Sequence, residues 1–503
     1  MASALWLCLH LPELALDALG PWPRGVPLPV IVWHGEQGGQ RVWQANAAAR
    51  ALGVHAGQRL PSAQALAPQA VVRARDPVRE HDHLQRLALA LAAFTPNLRI
   101  EQDDVLLELH ASLRLFGGLR ALLRQARQAV AGAGGQTRWG LAPTALAARL
   151  FARRPRRVVQ PGSLQRHLQR LPLELLAQVA GLPAAPLQML QALGARRVGD
   201  LQALPRSGLA RRGALAWLAA LDRATGQRPE PGTWLVIPER FEAKLELAWR
   251  ADQAPMLEAA LVPLLQALAG WLRLRWQAAT RLSLHLKPEH GARRELPEQV
   301  LTLTLALPSR DADHLQTLLR ERLLLTPLDA PVDALRLCLD EAVADAGRPT
   351  ALLPDHAAEQ GTTEAELIDR LRARLGHAQV QRIALQADPR PEKADLAQPA
   401  DRRATASAPD RLLALRPRPA WLLPEPVLLD TQDDRPWLQG QPLHLLPGTE
   451  RIEFGWHDGW LVRRDYHVAR AADGTLHWLF REFGSGPGAL DDPTRWHLHG
   501  LFA

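Results

Sequence analysis

Apolar strands and amphipathic helices alternate over about the first 150 residues, and this alternation constrains the fold more than any other feature. The runs 6–11 and 138–141 predict buried strands, and 98–109 predicts two strands joined by a polar turn. Residues 77–94 have the spacing of a long amphipathic helix. Strands that alternate with helices in this way predict an α/β domain.

Length and composition predict a multidomain globular protein. A chain of 503 residues exceeds one ordinary hydrophobic core, so about three to five domains are expected. Its residues are 47% apolar and 22% charged, which is typical of a folded domain. Cys8 and Cys338 are the only cysteines, which excludes a disulfide framework and a Cys-x-x-Cys metal site. The stretch 4–19 is too short and too polar to span a bilayer, so we expect no membrane partner and a cytoplasmic, nucleoid-associated protein.

The chain is strongly basic, with a formal charge of +8 and a pI near 10.5, and nearly all its cations are arginine. The planar guanidinium group matches phosphate oxygens, so this charge fits a nucleic-acid partner. An arginine bias from a GC-rich coding background would give the same composition. Charge alone therefore leaves the nucleic-acid partner open.

Four segments, in order along the chain, resemble the motifs of Y-family (translesion) DNA polymerases. Residues 45–58 read ANAAARALGVHAGQ and are similar to the family signature ANYEARKFGVKAGM. The other three are the strand 7–11, the hairpin 101–108 (EQDDVLLE) and residues 139–145 (WGLAPTA), which match the family's VDMDAFFASVE, SIDEAYLD and GISKNK motifs. Residues 179–183 and 193–201 resemble a helix-hairpin-helix, for which a plain pair of helices is the alternative.

Further signatures make the chain most similar to the ImuB family, the polymerase-like subunit of a bacterial mutagenesis cassette. They are residues 115–118 (LFGG), 305–311 (LALPSRD), 319–323 (LRERL), 387–392 (ADPRPE), 450–456 (ERIEFGW), 463–468 (RRDYHV) and 499–502 (HGLF). The resemblance covers nearly the whole chain. It implies a multidomain α/β (α+β) right hand followed by a small C-terminal β-rich module.

The resemblance also gives the expected domains. They are the palm and fingers (1–165), a helix-hairpin-helix thumb (166–232), the little finger (233–346), a linker with one helix (347–409) and a partner-binding module (410–503). Within the linker, 387–408 is rich in Pro, Ala and charge, a composition that predicts disorder.

The resemblance indicates that the catalytic metal site is degenerate. Polymerases hold two Mg²⁺ ions with hard carboxylate oxygens. Cys8 stands at the first metal-binding position, whereas Asp103 and Asp104 match the acidic pair of the hairpin. Turn chemistry is the alternative account of the two adjacent aspartates. We therefore expect no cofactor, and Mg²⁺ only if Asp103 and Asp104 act with a substitute ligand.

The nucleotide contacts that the family implies are also reduced. Ala47 and Ala145 stand where the family has a Tyr and a Lys that hold the triphosphate. Arg50 matches the family's Arg and is the one vestigial nucleotide-binding residue.

The predicted DNA-binding residues come from the basic clusters and from the hairpin glycines. They are Arg149, Arg153, Arg154, Gly181, Gly194, Arg196, Arg197, Arg273, Arg275, Arg281 and Lys287. A solvated arginine face is the alternative for each cluster. Contacts to the DNA backbone would make binding independent of sequence and sensitive to salt.

The resemblance implies three protein partners: an error-prone C-family DNA polymerase of the ImuC type, a RecA-like accessory protein of the ImuA type, and the sliding clamp. Leu352 and Leu353 keep the apolar pair of a clamp-binding peptide, without its Gln and its aromatic residue. The predicted partner-binding residues of the tail are Trp456, Trp460, Tyr466, Trp478 and Phe502.

The sequence therefore predicts a catalytically inactive adaptor that binds DNA and recruits an error-prone polymerase for translesion synthesis and damage-induced mutagenesis. One alternative is an active low-fidelity polymerase that uses Asp103 and Asp104. Another is a DNA-binding scaffold without a polymerase partner.

Overall fold

The computed structural model describes residues 4–20, 28–36, 39–132, 136–289, 297–345, 356–386, 388–400, 418–483 and 495–502. The chain forms two compact units, Met1–Arg374 and Leu375–Ala503.

The N-terminal part of the first unit alternates strands and helices, as the sequence predicts. Its elements are β1 (Trp6–His10), α1 (Leu14–Asp17), β2 (Val30–His34), β3 (Arg41–Ala45), α2 (Ala47–Ala51), α3 (Leu60–Leu66), β4 (Val71–Ala74), α4 (Pro77–Leu91), β5 (Leu98–Glu101), β6 (Asp104–Glu108), α5 (Leu119–Val130), β7 (Arg138–Ala142) and α6 (Ala145–Arg153). The palm sheet has the antiparallel order β5-β6-β1-β7, and a smaller sheet has the order β3-β2-β4.

The palm sheet is buried on both faces, and β1 shows how its residues are divided. Leu7 and Leu9 point to the face covered by α4 and α5, whereas Cys8 points to the face covered by α6. Gly140, opposite Cys8 on β7, has no room for a side chain because a Cβ there would lie 2.1 Å from the carbonyl oxygen of Ala148. Helix α6 therefore lies directly against the sheet.

The next part is made of short helices separated by Gly and Pro. They are α7 (Pro161–Gln169), α8 (Leu173–Ala180), α9 (Ala184–Ala192), α10 (Val198–Ala203), α11 (Arg206–Arg211) and α12 (Leu215–Thr225). Their shared core is built around Trp217, which is fully buried, and it continues into α6 and Cys8 of the palm. We call residues 154–226 the thumb helices.

The little finger is an antiparallel sheet with two helices on one face. Its elements are β8 (Glu242–Ala251), α13 (Glu258–Arg275), β9 (Gln277–Pro288), β10 (Gln299–Ser309), α14 (Ala312–Leu325) and β11 (Val332–Ala344), with the sheet order β10-β9-β11-β8. Among the described residues, 254–275 is the one helix with the length and apolar composition of a membrane span. Of its most apolar 18-residue stretch, 67% is buried, and the helix packs in the core against this sheet. Helix α15 (His356–Leu375) follows, and the Asp369 carboxylate accepts the backbone N–H of Ala306 on the edge strand β10.

The second unit is rich in β-structure, as predicted. Its elements are β12 (Gln381–Leu385), α16 (Pro391–Ala394), β13 (Asp395–Pro399), β14 (Trp421–Leu428), β15 (Asp430–Gln432), β16 (Arg435–Leu438), β17 (Gln441–Pro442), β18 (His444–Phe454), β19 (Val462–Arg470), β20 (Leu476–Glu482) and β21 (His497–Leu501). The main sheet has the order β14-β21-β20-β19-β18. The disorder predicted over 387–408 is wrong for 388–400, which forms α16 and β13 and contributes the buried Arg390. The composition gave the wrong prediction here because the stretch is held by the backbone pairing of β13 with β12 and by the ion pairs of Arg390.

Candidate functional site

The acidic pair lies at a tight turn between β5 and β6. Gln102 adopts a left-handed conformation (φ 54°), which reverses the chain so that Asp104 begins β6 directly opposite His10 on β1. The Asp104 side chain is fully buried, whereas that of Asp103 is 35% exposed. Asp103 and Asp104 therefore form a turn, as turn chemistry predicts. They also place two carboxylates beside the first palm strand, as the match to the polymerase motif predicts.

Two arginines on α6 reach these carboxylates. Arg149 and Arg153 are one helical turn apart, so they share the helix face that lies on the sheet. Arg149 donates Nε to Asp104 Oδ2 and Nη1 to Glu101 Oε2, both at 2.8 Å. Arg153 donates Nη1 to both oxygens of Asp104 at 3.0 Å and Nη2 to Asp103 Oδ1 at 2.7 Å. The two guanidinium groups therefore lie between the acidic turn and the helix.

Local structure fixes α6 in this position. Gly140 permits the close approach of the helix to the sheet. At the helix start, the Thr144 hydroxyl accepts the backbone N–H of Ala147 at 3.3 Å and donates to the carbonyl of Ala224 at 2.9 Å. The Glu230 carboxylate accepts the N–H of Leu146 at 2.8 Å. The thumb helices and the sheet thus both hold the helix that carries Arg149 and Arg153.

The hydrogen-bonding capacity of Asp104 is fully used. Oδ1 accepts from His10 Nδ1 and Arg153, and Oδ2 accepts from Arg149 and Arg153. Because an ionised carboxylate only accepts, His10 must carry its proton on Nδ1. Burial alone would raise the pKa of Asp104, but the hydrogen bond from His10 and the charges of Arg153 and Arg149 outweigh it and hold that pKa below its usual value. Asp104 is therefore a stable buried anion.

Three groups at this site could converge on a cation, since ligand atoms of His10, Asp103 and Asp104 lie within 4.8 Å of one another. Mg²⁺ prefers carboxylate and water oxygens in octahedral geometry, whereas here the oxygens of Asp104 accept from arginines and the third group is an imidazole. Burial and the nearby Asp104 raise the pKa of the Cys8 thiol, so it remains protonated and supplies no ligand. The residues present do not fit a Mg²⁺ site.

Arg50, the predicted nucleotide contact, has partners within its own chain. Its Nη1 donates to Glu13 Oε1 at 2.7 Å and to the carbonyl of Ala45. Asn46 caps α2, because its Oδ1 accepts the N–H of Ala49 at 3.0 Å. The motif segment therefore keeps a structural function here, and the nucleotide-binding role of Arg50 stays a prediction.

The predicted DNA-binding role of Arg149 and Arg153 needs correction. Both side chains are less than 10% exposed and are used by the carboxylates of the acidic turn, so they are not free to contact phosphates. By contrast, Arg154, Arg196 and Arg197 are exposed on the thumb helices. Gly181 and Gly194 have left-handed backbones, with φ of 60° and 85°, which end α8 and the turn after α9.

The predicted DNA-binding residues of the little finger differ in their exposure and in the partners that their side chains already have. Arg273 is exposed near the end of α13, whereas Arg275 donates to the carbonyl of Pro238 at 2.8 Å. Arg281 pairs with Glu341 at 3.0 Å on the solvent face of the sheet. Lys287 is partly exposed on the same face.

The predicted partner-binding residues fall into two groups. Trp456 and Trp460 are 81% and 48% exposed, as a contact surface requires. Tyr466 and Trp478 are 1% and 2% exposed and form the core of the main sheet of the second unit, so they cannot be direct contacts. Phe502 packs partly against that core. Leu352 and Leu353, the predicted clamp contacts, lie outside the described residues.

Sequence reasoning missed a buried arginine that organises the loop carrying the two exposed tryptophans. Arg390 is 1% exposed; it donates to Asp388 and Asp458, with Nη2 at 2.7 Å from each carboxylate, and to the carbonyl of Trp460 at 2.9 Å. Gly455 (φ 99°) has no room for a Cβ, which would lie 2.0 Å from the same carbonyl. Residues 455–460 therefore form a fixed loop.

A second network joins the remaining tail signatures. The carboxylate of Glu392 pairs with Arg464, which also donates to the Tyr466 hydroxyl at 3.2 Å. That hydroxyl is 2.8 Å from Nδ1 of the fully buried His499. The segments 388–392, 450–456, 463–468 and 499–502 thus meet in one place, which their spacing in the sequence could not reveal.

Several known proteins resemble this chain in sequence or in fold. Residues 24–153 match the sequence model of the impB/mucB/samB family. The chain is 28% identical over 483 residues to the Protein ImuB of two Caulobacter vibrioides strains, NA1000 / CB15N and ATCC 19089 / CIP 103742 / CB 15, covering 90% of this chain and 100% of each relative. A Y-family DNA polymerase chimera covers 67% of the chain (TM-score 0.39, 19% identity), and DinB from Sulfolobus solfataricus covers 68% (TM-score 0.37, 17% identity).

The palm sheet with its acidic turn, the thumb helices and the two-helix little finger define a Y-family-polymerase-like right hand, which confirms the predicted fold class. The resemblance to the ImuB family is likewise confirmed, since the similarity to Protein ImuB covers 90% of the chain and therefore extends into the second unit.

Proposed function

We propose that this protein is a catalytically inactive, Y-family-polymerase-like adaptor that binds DNA and recruits an error-prone polymerase for translesion synthesis. One observation carries the proposal: Arg149 and Arg153 supply positive charge at the acidic turn, where a polymerase would hold its two Mg²⁺ ions. With its carboxylates already paired, the palm keeps its fold without a metal. In this proposal no cofactor takes part.

The similarity to Protein ImuB along 90% of the chain supports a role related to DNA damage. The net positive charge and the exposed arginines of the thumb helices support binding to the DNA backbone. On this proposal the protein acts in the cytoplasm, at the nucleoid, and its protein partners are a polymerase of the ImuC type and a RecA-like protein of the ImuA type. The sliding clamp is a further candidate partner.

The fixed loop 455–460 is the best-supported recruitment surface. A rigid tryptophan can be buried by a partner with little loss of conformational entropy, and such residues often dominate interface energies. Trp456 is held outward by a loop whose backbone is tied to Arg390. We therefore assign protein recruitment to Trp456 and Trp460.

Primer extension tests the catalytic part of the proposal. Purified full-length protein is mixed with primer–template DNA and nucleotides in Mg²⁺ and in Mn²⁺, and binding to the same DNA is measured by fluorescence anisotropy. We expect binding without extension. Extension that is lost in an Asp104→Asn variant would overturn the proposal, whereas extension that persists in this variant would come from a contaminating polymerase.

The active-polymerase alternative rests on the convergence of His10, Asp103 and Asp104. It requires the arginines to leave the carboxylates when a metal binds, and the extension assay tests it directly. The scaffold alternative is tested by a Trp456→Ala/Trp460→Ala variant. If this variant supports damage-induced mutagenesis as fully as Trp421→Ala, an exposed tryptophan on β14, recruitment through the loop is wrong.

A further inference from the structure

The two surfaces predicted to bind DNA, the thumb and the solvent face of the little-finger sheet, differ in their formal charge. The solvent face of the little-finger sheet carries four basic and five acidic residues. These are Lys244, Arg281, Lys287, Arg336, Glu242, Glu246, Glu298, Asp340 and Glu341, a formal charge of −1. This face therefore has no net attraction for phosphate.

Ion pairs within the sheet also occupy three of the four basic groups of that face, those of Lys244, Arg281 and Arg336. Arg336 donates to Glu298 at 2.6 Å and lies 3.6 Å from Glu242, and Arg281 pairs with Glu341 at 3.0 Å. Lys244 pairs with Glu246. A phosphate that approached Arg281 or Arg336 would have to compete with a carboxylate already in place.

The thumb has the opposite balance. Residues 154–212 contain ten arginines and two acidic residues, a formal charge of +8, which equals that of the whole chain. Four of these arginines form what we call the thumb arginine cluster: Arg166, Arg170, Arg196 and Arg197. All four are exposed, and none has a carboxylate within ion-pair distance among the described residues.

Backbone contacts bring the cluster together. Arg166 and Arg170 are one turn apart at the end of α7, and Pro172 pairs with Arg197 through a β-bridge. The N–H of Leu173 donates to the carbonyl of Arg196 at 2.9 Å. Asp200, which follows in the sequence, uses one carboxylate oxygen to accept the backbone N–H groups of Arg196 and Arg197 at 2.9 and 2.8 Å. The nearest acid is thus bound to the backbone and does not pair with a guanidinium group.

We infer that the thumb arginine cluster, and not the solvent face of the little-finger sheet, makes the phosphate contacts that hold DNA. This inference rests on the DNA binding in the proposed function and adds which surface carries it. The protein then contacts the phosphates of the duplex through the thumb alone. The charge-balanced little-finger face contributes little to affinity.

Two double variants of the full-length protein test the inference, and each removes two positive charges. Arg166→Ala/Arg170→Ala changes the cluster, and Arg281→Ala/Lys287→Ala changes the little-finger face. Because both lower the net charge equally, long-range attraction falls equally, and only direct phosphate contacts separate them. Binding to a primer–template duplex is measured by anisotropy from 50 to about 200 mM salt, and thermal melting checks that each variant folds.

We expect the cluster variant to lose about tenfold or more in affinity and to lower the slope of log K against log salt by about 2, as loss of two phosphate contacts requires. The little-finger variant should change affinity less than about twofold and keep the slope. Equal effects, a larger effect of the little-finger pair, or no effect of either pair would overturn the inference while DNA binding stands. If the unmodified protein does not bind DNA, the DNA-binding part of the proposed function fails together with the inference. An Arg196→Ala/Arg197→Ala variant repeats the test on the other half of the cluster.

Discussion

Arg153 donates one N–H group to both carboxylate oxygens of Asp104, at 3.0 Å each, from the last turn of the helix that lies on the palm sheet. Arg149 completes the pairing from one turn earlier. Asp104 is fully buried, and the loss of hydration of a buried carboxylate is compensated only when charge and hydrogen bonds surround it. The arginines therefore have a structural function that a polymerase would leave to its metal ions and their water.

Removing either arginine should destabilise the first unit. Arg149→Ala leaves Asp104 buried with one of its two cations lost, which costs about 3–5 kcal/mol in comparable buried pairs. The measurement is urea unfolding followed by circular dichroism. Arg154→Ala is the matched control, because Arg154 directly follows α6 but is exposed, and it should change the free energy of unfolding by less than about 0.5 kcal/mol. Equal effects of the two changes would show that the pairing contributes nothing.

Removing both arginines should convert the acidic turn into a cation site. In Arg149→Ala/Arg153→Ala, the groups of His10, Asp103 and Asp104 are left without their cations, so Mn²⁺ should bind and stabilise the fold. We expect Mn²⁺ to raise the melting temperature of the double variant and to leave that of the unmodified protein unchanged. The rise should vanish when Asp104→Asn is added. A rise of the same size in the unmodified protein would mean that the arginines do not exclude the metal.

Gly140 should be as important as the arginines, although it carries no charge. A Cβ at this position would lie 2.1 Å from the carbonyl oxygen of Ala148 and 2.3 Å from the nitrogen of Ala152. Gly140→Ala would push α6 away from the sheet and cost about 3 kcal/mol, as overpacking in a dense core does. Gly208→Ala in α11 is the control, because a Cβ there meets nothing within 4 Å and should stabilise the helix slightly. Similar melting temperatures for the two variants would contradict the tight packing.

Much of the fold could be predicted from the sequence, because its strongest signals are local. The apolar run at β1, the polar turn at 101–104 and the long helix α4 follow from periodicity and turn chemistry alone. Strand β8 was missed, although residues 242–247 alternate polar and apolar side chains as a half-buried strand does. The folded stretch 388–400 was also missed, because the partners that stabilise Arg390 include Asp458, which is 68 residues away.

Only part of the candidate site could be predicted, because its side chains come from segments far apart in the sequence. Loss of the metal site could be read from Cys8, since a thiol is a poor ligand for Mg²⁺. What replaces the metal could not be read, because Arg149 and Asp104 are 45 residues apart and an arginine cluster in a basic chain looks like a DNA surface. One signal was available: Arg149 and Arg153 have the i, i+4 spacing of an otherwise apolar helix face, where a charge must find a buried partner.

The second unit should lose stability as the pH falls from about 6.5 to 4. Burial lowers the pKa of His499 to about 4, whereas in the unfolded chain it titrates near 6.5. Between these values the unfolded chain binds a proton that the folded chain does not, so acid favours unfolding by up to about 3 kcal/mol. His499→Asn can still accept from the Tyr466 hydroxyl and should flatten this dependence, measured by hydrogen exchange of β19 to β21. His444→Asn, at an exposed position on β18, should not. An unchanged pH profile in His499→Asn would contradict the assignment.

Arg390→Ala should release the loop 455–460 while the rest of the second unit stays folded. The change removes the donors to Asp388, Asp458 and the carbonyl of Trp460, which together hold the loop against the module. The carboxylates of Asp388 and Asp458 then face each other without the guanidinium group between them, and Asp458 keeps its ion pair with Lys393. The loop should therefore open more often, and its amides should exchange hydrogen at least about tenfold faster. Arg463→Ala is the matched control, since Arg463 lies in the same region but pairs with the exposed Glu453, and such surface pairs contribute little.

If the loop is the recruitment surface, Arg390→Ala should also weaken partner binding although Trp456 and Trp460 remain present, because a mobile tryptophan must be ordered on binding. Unchanged exchange in the loop would show that its conformation does not depend on Arg390, and faster exchange with full partner binding would show that rigidity of the loop is not needed for recruitment.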